Sequence, residues 1–244
     1  MLARQVELRE EAATAAAPTT PKITVTDKGF TLASADAANS IKLRGLVQLD
    51  SRIFLNDGNV LANNSFILRR ARIISEGTFA KNFAFQVVPE FGGGSPAIVD
   101  ANLSWTVAPE LQFKFGRFKS PVGLELLQSD SWTFFDERSI VTNLVLNRDL
   151  GVLVSGDVLG GKLNYTAGIV GGVADGAQTT NSDFDNEKDL VGRLWASPFK
   201  DDAGSFAQGL SFGVSGSYGR EKTTAGRTAG YKTDGQQTFF SYAA

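Results

Sequence analysis

Residues 66–91, FILRRARIISEGTFAKNFAFQVVPEF, decide the fold. In the first half, Ile67, Ala71, Ile73, Ser75, Gly77 and Phe79 fall on one face of an extended chain. Leu68, Arg70, Arg72, Ile74, Glu76 and Thr78 fall on the other. Ala80-Lys81-Asn82 reads as a turn. The return half sets Phe83, Phe85, Val87, Pro89 and Phe91 against Ala84, Gln86, Val88 and Glu90. Period-2 alternation marks strands that meet two unlike surroundings. A transmembrane β-strand needs about 9–11 residues, whereas strands of globular proteins usually have about 5–6. Long strands with one apolar and one charged face predict an antiparallel transmembrane β-barrel with a polar lumen.

Composition agrees with this reading. The chain has 244 residues and a formal net charge of −2, with a mean hydropathy of −0.08. No run approaches the roughly 18 apolar residues of a membrane helix. A barrel has such a profile because only alternate residues meet lipid. There are 26 Gly and 18 Phe, and neither Cys nor His. Without them, Ser-His-Asp and Cys-His catalysis and the usual zinc sites are excluded. The charge balance does not suggest a nucleic-acid binder.

Two acidic features are weak candidates for chemistry. Residues 183–189, DFDNEKD, alternate acids like a calcium loop but lack its glycine and its final bidentate Glu. They read as a solvated loop. Asp136-Glu137 are adjacent and do not face each other across a sugar at the roughly 5–9 Å that glycoside cleavage requires. No enzyme and no cofactor is expected.

Candidate strands are 41–55, 66–79, 83–91, 98–107, 111–119, 148–158, 162–171, 188–198, 209–220 and 236–244. Tight turns at 80–82, 108–110 and 159–161 alternate with longer polar loops at 120–147, 172–187 and 221–235. Short turns at one end and long loops at the other match an outer-membrane barrel. The connection 199–208 should be short in that scheme and is not. Phe79, Phe83, Trp105 and Phe113 lie near the tight turns, where an interfacial aromatic girdle belongs. Residues 1–17 read as a short helix, and 18–40 as a linker with one short strand at 22–25. No signal-peptide pattern precedes them. Ten strands leave an apolar edge unpaired. The expectation is a chain truncated at both ends, the N-terminal part of a larger barrel.

Several segments carry a resemblance to the phosphate-selective porin O and P family. Residues 66–77, with Arg69-Arg70, look like that family's second strand. KFGRFK at 114–119, then Pro121 and Gly123-Leu124-Glu125, resembles the segment before its long third loop. Glu137-Arg138, Arg148-Asp149-Leu150-Gly151 and LVGRLWASPF at 190–199 look like its later landmarks. The resemblance covers roughly residues 41–244. It implies a bacterial outer-membrane porin, a homotrimer of sixteen-stranded barrels embedded in lipid, that passes small anions such as phosphate or polyphosphate. It also implies a coiled-coil segment where residues 1–17 stand. Two departures bear on selectivity. Leu46 occupies a position where phosphate-selective members can carry arginine, and Asp130-Ser131 stands where a lysine is expected.

Anion pores use rings of Arg or Lys facing water, and Arg suits phosphate through its planar, bidentate donors. By parity, Arg44 and Arg52 share the face of Lys42, Gln48 and Asp50, and Arg70 and Arg72 join them from the next strand. Arg69 and Arg70 cannot both point inward on a regular strand, so Arg69 is expected at the opposite interface or between subunits. Strict alternation places Arg117 in mid-membrane, where Arg costs about 2–4 kcal/mol. A bulge at Gly116 would turn Arg117 and Lys119 inward beside Lys114. The long loop 120–147, folded into the lumen, would form a constriction carrying Glu137 and Arg138. The expected lining is therefore Arg44, Arg52, Arg70, Arg72, Lys114, Arg117, Lys119 and Arg138. A general or carbohydrate-permissive pore of the same fold is the alternative, and a soluble β-sandwich or surface adhesin the more distant one.

Overall fold

A computed structural model describes residues 20–55, 64–172, 186–220, 231–232 and 238–240. The expected helix at 1–17, the acids at 183–185 and most of the loops 172–187 and 221–235 lie outside these residues. Eleven strands form one antiparallel sheet in chain order. They are β1 (Lys22–Thr26), β2 (Gly29–Ala33), β3 (Ser40–Arg52), β4 (Ser65–Phe79), β5 (Phe83–Glu90) and β6 (Ala97–Ala108). They continue with β7 (Leu111–Lys119), β8 (Arg148–Val158), β9 (Leu163–Val170), β10 (Asp189–Ala196) and β11 (Phe212–Tyr218). Among the described residues the sheet is open, with β1 and β11 at its edges. A separate pair, β12 (Tyr231–Lys232) and β13 (Thr238–Phe240), follows.

The alternation of the sequence becomes two faces. Along β3, Leu43, Val47 and Leu49 are exposed, while Arg44, Gln48 and Asp50 are partly covered. Nothing but lipid or another protein accommodates an exposed apolar face repeated over neighbouring strands. On that face Phe79, Phe83, Trp105, Phe113 and Phe115 stack in one row across β4–β7, with ring centroids 5.0, 6.2, 5.7 and 6.3 Å apart. Ladder register makes the row, because Phe79 opposes Phe83, Phe83 opposes Trp105 and Trp105 opposes Phe113. Offset aromatic pairs contribute about 0.5–1.5 kcal/mol each beyond their buried area.

Three segments depart from the sequence reading. Residues 22–33, read as linker with one short strand, form the hairpin β1–β2 on the sheet edge. The Thr/Val/Phe pattern of KITVT and GFTLA suits strands, but the flanking Pro and Ser disguise it. The strand expected at 236–244 is seen at Thr238–Phe240, pairs with β12 and does not join the main sheet. The connection 197–211 stays long by folding into successive turns. Lys200 Nζ donates to the Gly160 carbonyl and Lys162 pairs with Asp201, tying this connection to the tight turn after β8.

The hydrophobic core lies on the polar face, under the long loop. Phe118, Val122, Leu146, Leu153, Val170 and Val191 form one buried cluster, so the loop ends pack onto the inner side of β7–β10. Ser120 N–H donates to the Asn147 carbonyl at 2.7 Å and closes the loop at its base. Inside it a single helical turn, α1 (Leu124–Leu127), buries Leu126. Glu125 accepts from Ser139 N–H and hydroxyl and clamps α1 to the following turn. Burial raises the Glu125 carboxyl's pKa, and the Ser139 bonds outweigh it, leaving the pKa below the usual value.

Candidate functional site

The loop 120–147 crosses the sheet from β7 and meets the arginines of β3 and β4. It is held at that far end by charge. Glu137 accepts from Arg69 Nε and, at 3.0 Å, from Arg70 Nη2, and it lies 3.9 Å from Arg52. Asp130 pairs with Arg72 and Arg138, and its Oδ1 stands 3.5 Å from Arg70 Nε. Gln48 donates to the Asp136 carbonyl at 3.2 Å.

Arg69 departs from expectation, and a β-bulge is the reason. The β3–β4 ladder shifts register between Gln48 and Leu49, leaving Arg69 as the extra residue of β4. An unpaired residue bends the strand and re-aims its side chains. Arg69 and Arg70 therefore both reach Glu137 and do not part to opposite faces as regular alternation requires. Beyond the bulge the parity inverts, so Leu68 is exposed opposite Leu49 while Ile67 faces inward opposite Asp50.

The expected bulge at Gly116 is absent. Register runs unbroken through Gly116 in both the β6–β7 and β7–β8 ladders. Gly116 instead has φ +107°, and a Cβ there would stand 2.3 Å from the Ala101 carbonyl oxygen. The glycine serves a close backbone approach. Arg117 is buried and donates to the Ile98 carbonyl, so it is solvated by backbone. It is not among the residues lining the three cavities described below.

The other expected cations sort into paired and unpaired. Arg44 holds Glu76 with two bonds of 3.1 and 2.9 Å, and Arg52 holds Asp50 at 3.3 Å. Arg72 lies between Asp130 and Glu90, and Glu90 also accepts from the N–H groups of Ala71 and Gly92. Arg138 adds the carbonyls of Glu125 and Gln128. Lys119 donates to the Gln128 carbonyl at 2.9 Å. Among the described residues, neither Lys114 nor Lys119 forms an ion pair with a carboxylate. Sequence reasoning passed over Arg148 as a site residue. It is buried against Asp100 at 3.0 Å, and no local pattern announces a partner 48 residues away.

Two cavities share Lys114. A groove of about 430 Å³ near the tight turns is lined by Lys42, Glu76, Gln86, Asn102, Ser104 and Lys114 among others. A second, of about 290 Å³ under the loop, adds Arg44, Asp100, Lys119, Asp130 and Arg148. Gln86, Asn102 and Lys114 belong to both and join them along the polar face. Leu46, opposite Arg72, lines the second cavity with an apolar side chain.

Asp130 is the electrostatic hub. Burial raises its pKa, but Arg72, Arg138 and Arg70 together overcome that effect and hold the carboxyl well below the usual carboxylate range. A buried, charge-assisted cluster of this kind binds strongly only as a complete set, since loss of one partner leaves another charge uncompensated.

The family model of phosphate-selective porin O and P matches residues 41–238. The match begins at β3 and contains the whole loop and strands β4–β11. No curated protein matches the chain.

Proposed function

Because the chain belongs to the phosphate-selective porin O and P family, a family of bacterial outer-membrane channels, we propose that it lines a water-filled pore that passes small anions, phosphate and polyphosphate among them, by diffusion. The observation that carries this reading is the pair Lys114 and Lys119. Both flank the cavity under the loop, and neither is ion-paired to a carboxylate among the described residues. Most of the arginines around them are matched by an acid. These two lysines add unpaired charge to the field of the lining, and a low-dielectric wall focuses it. Anion preference is modest, because the arginine charge is spent internally. The active form is a homotrimer in lipid, in keeping with the family, and transport uses no cofactor and no catalysis.

The test is electrical. The intact gene product, reconstituted in planar bilayers, should open pores whose reversal potential in a potassium chloride gradient favours chloride. A cation-selective pore would overturn the anion reading.

A carbohydrate-permissive pore is the second reading, and the long loop favours it. Trp132, Phe134 and Phe135 stand almost fully exposed there. Aromatic side chains offer an apolar body to an amphipathic solute. Conductance block by maltodextrins at unchanged ion selectivity would support it.

A further inference from the structure

We propose that Asp130 is a built-in counter-anion: a carboxylate, delivered by the long loop, that occupies an oxyanion site formed by Arg70, Arg72 and Arg138 and so sets a weak affinity for permeant oxyanions. The inference deepens the channel reading above and rests on it.

The geometry is that of a bound anion. Three guanidinium groups converge on the Asp130 carboxylate, Arg70 and Arg72 from the wall and Arg138 from the loop itself. Each arginine is also fixed by partners other than Asp130. Arg70 keeps Glu137 and Gln48, Arg72 keeps Glu90, and Arg138 keeps the carbonyls of Glu125 and Gln128. The donors are therefore in place whether or not the carboxylate is, which is what a preorganised site requires.

The fit of Asp130 to that site is incomplete. Arg70 is 4% exposed, yet its Nε has no hydrogen-bond acceptor. That Nε faces Asp130 Oδ1 at 3.5 Å, beyond a good hydrogen bond. A cavity of about 60 Å³ adjoins it, lined by Arg69, Arg70, Arg72, Asp130, Glu137 and Arg138 among others. A carboxylate brings two oxygens in one plane, whereas phosphate or sulfate brings four in a tetrahedron. The donor surplus and the adjoining space suit the second shape better than the first.

Tethering explains why the poorer ligand occupies the site. The loop is closed at its base by Ser120 and Asn147 and clamped inside by Glu125. An anion held on such a tether competes at a high effective concentration. A free oxyanion must displace it and gains little.

The experiment compares the intact gene product with Asp130→Asn and Asp130→Glu in planar bilayers, reading the block of chloride current by added inorganic phosphate. Asp130→Asn should tighten the block at least tenfold and shift the reversal potential toward greater anion preference. Asp130→Glu should behave as the parent protein. Asp130→Ser gives the same comparison should the asparagine variant not assemble. Two results overturn the inference: an unchanged block, and a larger chloride conductance with unchanged block, which would make Asp130 only a pin for the loop. In either case a parent pore that still prefers anions leaves the channel reading intact. A parent protein that opens no pore removes the channel reading, and this inference with it.

Discussion

Arg69 is drawn to the Glu137 carboxylate beside its neighbour Arg70, although adjacent residues of a strand normally point to opposite faces. The bulge in β4 makes the shared partner possible. Glu137 thereby ties the far end of the loop to the wall through two guanidinium groups. Replacing it by Gln removes the charge and leaves Arg69 without a carboxylate partner among the described residues, a change that costs about 3 kcal/mol in buried pairs. Glu137→Gln should accelerate proteolytic cleavage within 120–147 in detergent, with the rest of the barrel protected. Cleavage at the parent rate would mean that the Asp130 cluster and the packing of Val122 and Leu146 hold the loop without Glu137.

The Asp130 cluster sets the pH behaviour of the same loop. Its carboxyl pKa is lower in the folded protein than in the unfolded chain, because three arginines outweigh the effect of burial. The unfolded state then binds the proton more readily, so stability falls as pH falls. The contribution is complete above the ordinary carboxylate pKa of about 4 and is lost only well below it. Loop protection from proteolysis should stay constant from pH 8 to about 4.5, above that value. An acid-resistant protease should find the loop open only in stronger acid. Opening between pH 5 and 7 would contradict the cluster as described.

Gly116 offers a stability test away from the charges. Its φ of +107° and the 2.3 Å approach of a would-be Cβ to the Ala101 oxygen exclude any L side chain without movement of the ladder. Gly116→Ala should cost about 1–3 kcal/mol, the range of a strained backbone position. Folded, heat-modifiable barrel in detergent should denature at lower temperature than the parent. Equal denaturation would show that β6 and β7 can part there at little cost.

Cysteine scanning tests the two faces directly, since the chain has no native Cys. Ile73→Cys and Leu103→Cys lie on the exposed apolar face and should resist a water-soluble thiol reagent in membranes. Lys42→Cys and Asn102→Cys line the open groove and should react. Arg72 and Asp100, though on the polar face, are shielded and should react slowly. Equal labelling of Ile73→Cys and Asn102→Cys would contradict the register.

Alternation made most of the sheet legible in the sequence. Strands β3–β10 lie within a few residues of where period-2 patterning puts them, because a half-buried strand writes its two environments in alternate residues. The aromatic row was legible for the same reason. Bulges were not. Arg69-Arg70 announced a conflict with alternation; the expected resolution turned Arg69 away from the lumen, whereas the structure inserts an extra residue. At Gly116 the conflict was resolved the other way, by burial of Arg117 against the Ile98 carbonyl. A glycine in a strand marks either a bulge or a close approach, and composition does not distinguish them. The loop's acids show a deeper limit. Glu137 and Arg138 were legible as charges of the long loop, but the meeting of Asp130 with Arg72, 58 residues away, depends on how the loop crosses the sheet.

The lysines carry the last and most direct prediction about selectivity. Charge removal at an arginine that is already paired exchanges one imbalance for another. Arg72 faces Glu90 and Asp130, and Arg117 lies buried against backbone, so neither is a clean probe of the lining potential. Lys114 has no ion-pair partner among the described residues and borders both cavities. Lys114→Gln removes one uncompensated charge and little volume. It should lower the anion-to-cation permeability ratio by about threefold, the factor for one kT within a lining potential of several kT. The effect should shrink at 1 M salt, where the screening length is about 3 Å. Lys42→Gln, beside the ion-paired Glu76, provides the contrast on the same groove and should change the ratio less. A reversal potential unmoved by Lys114→Gln would place the conducting path away from β7, and the anion preference would then need a different source.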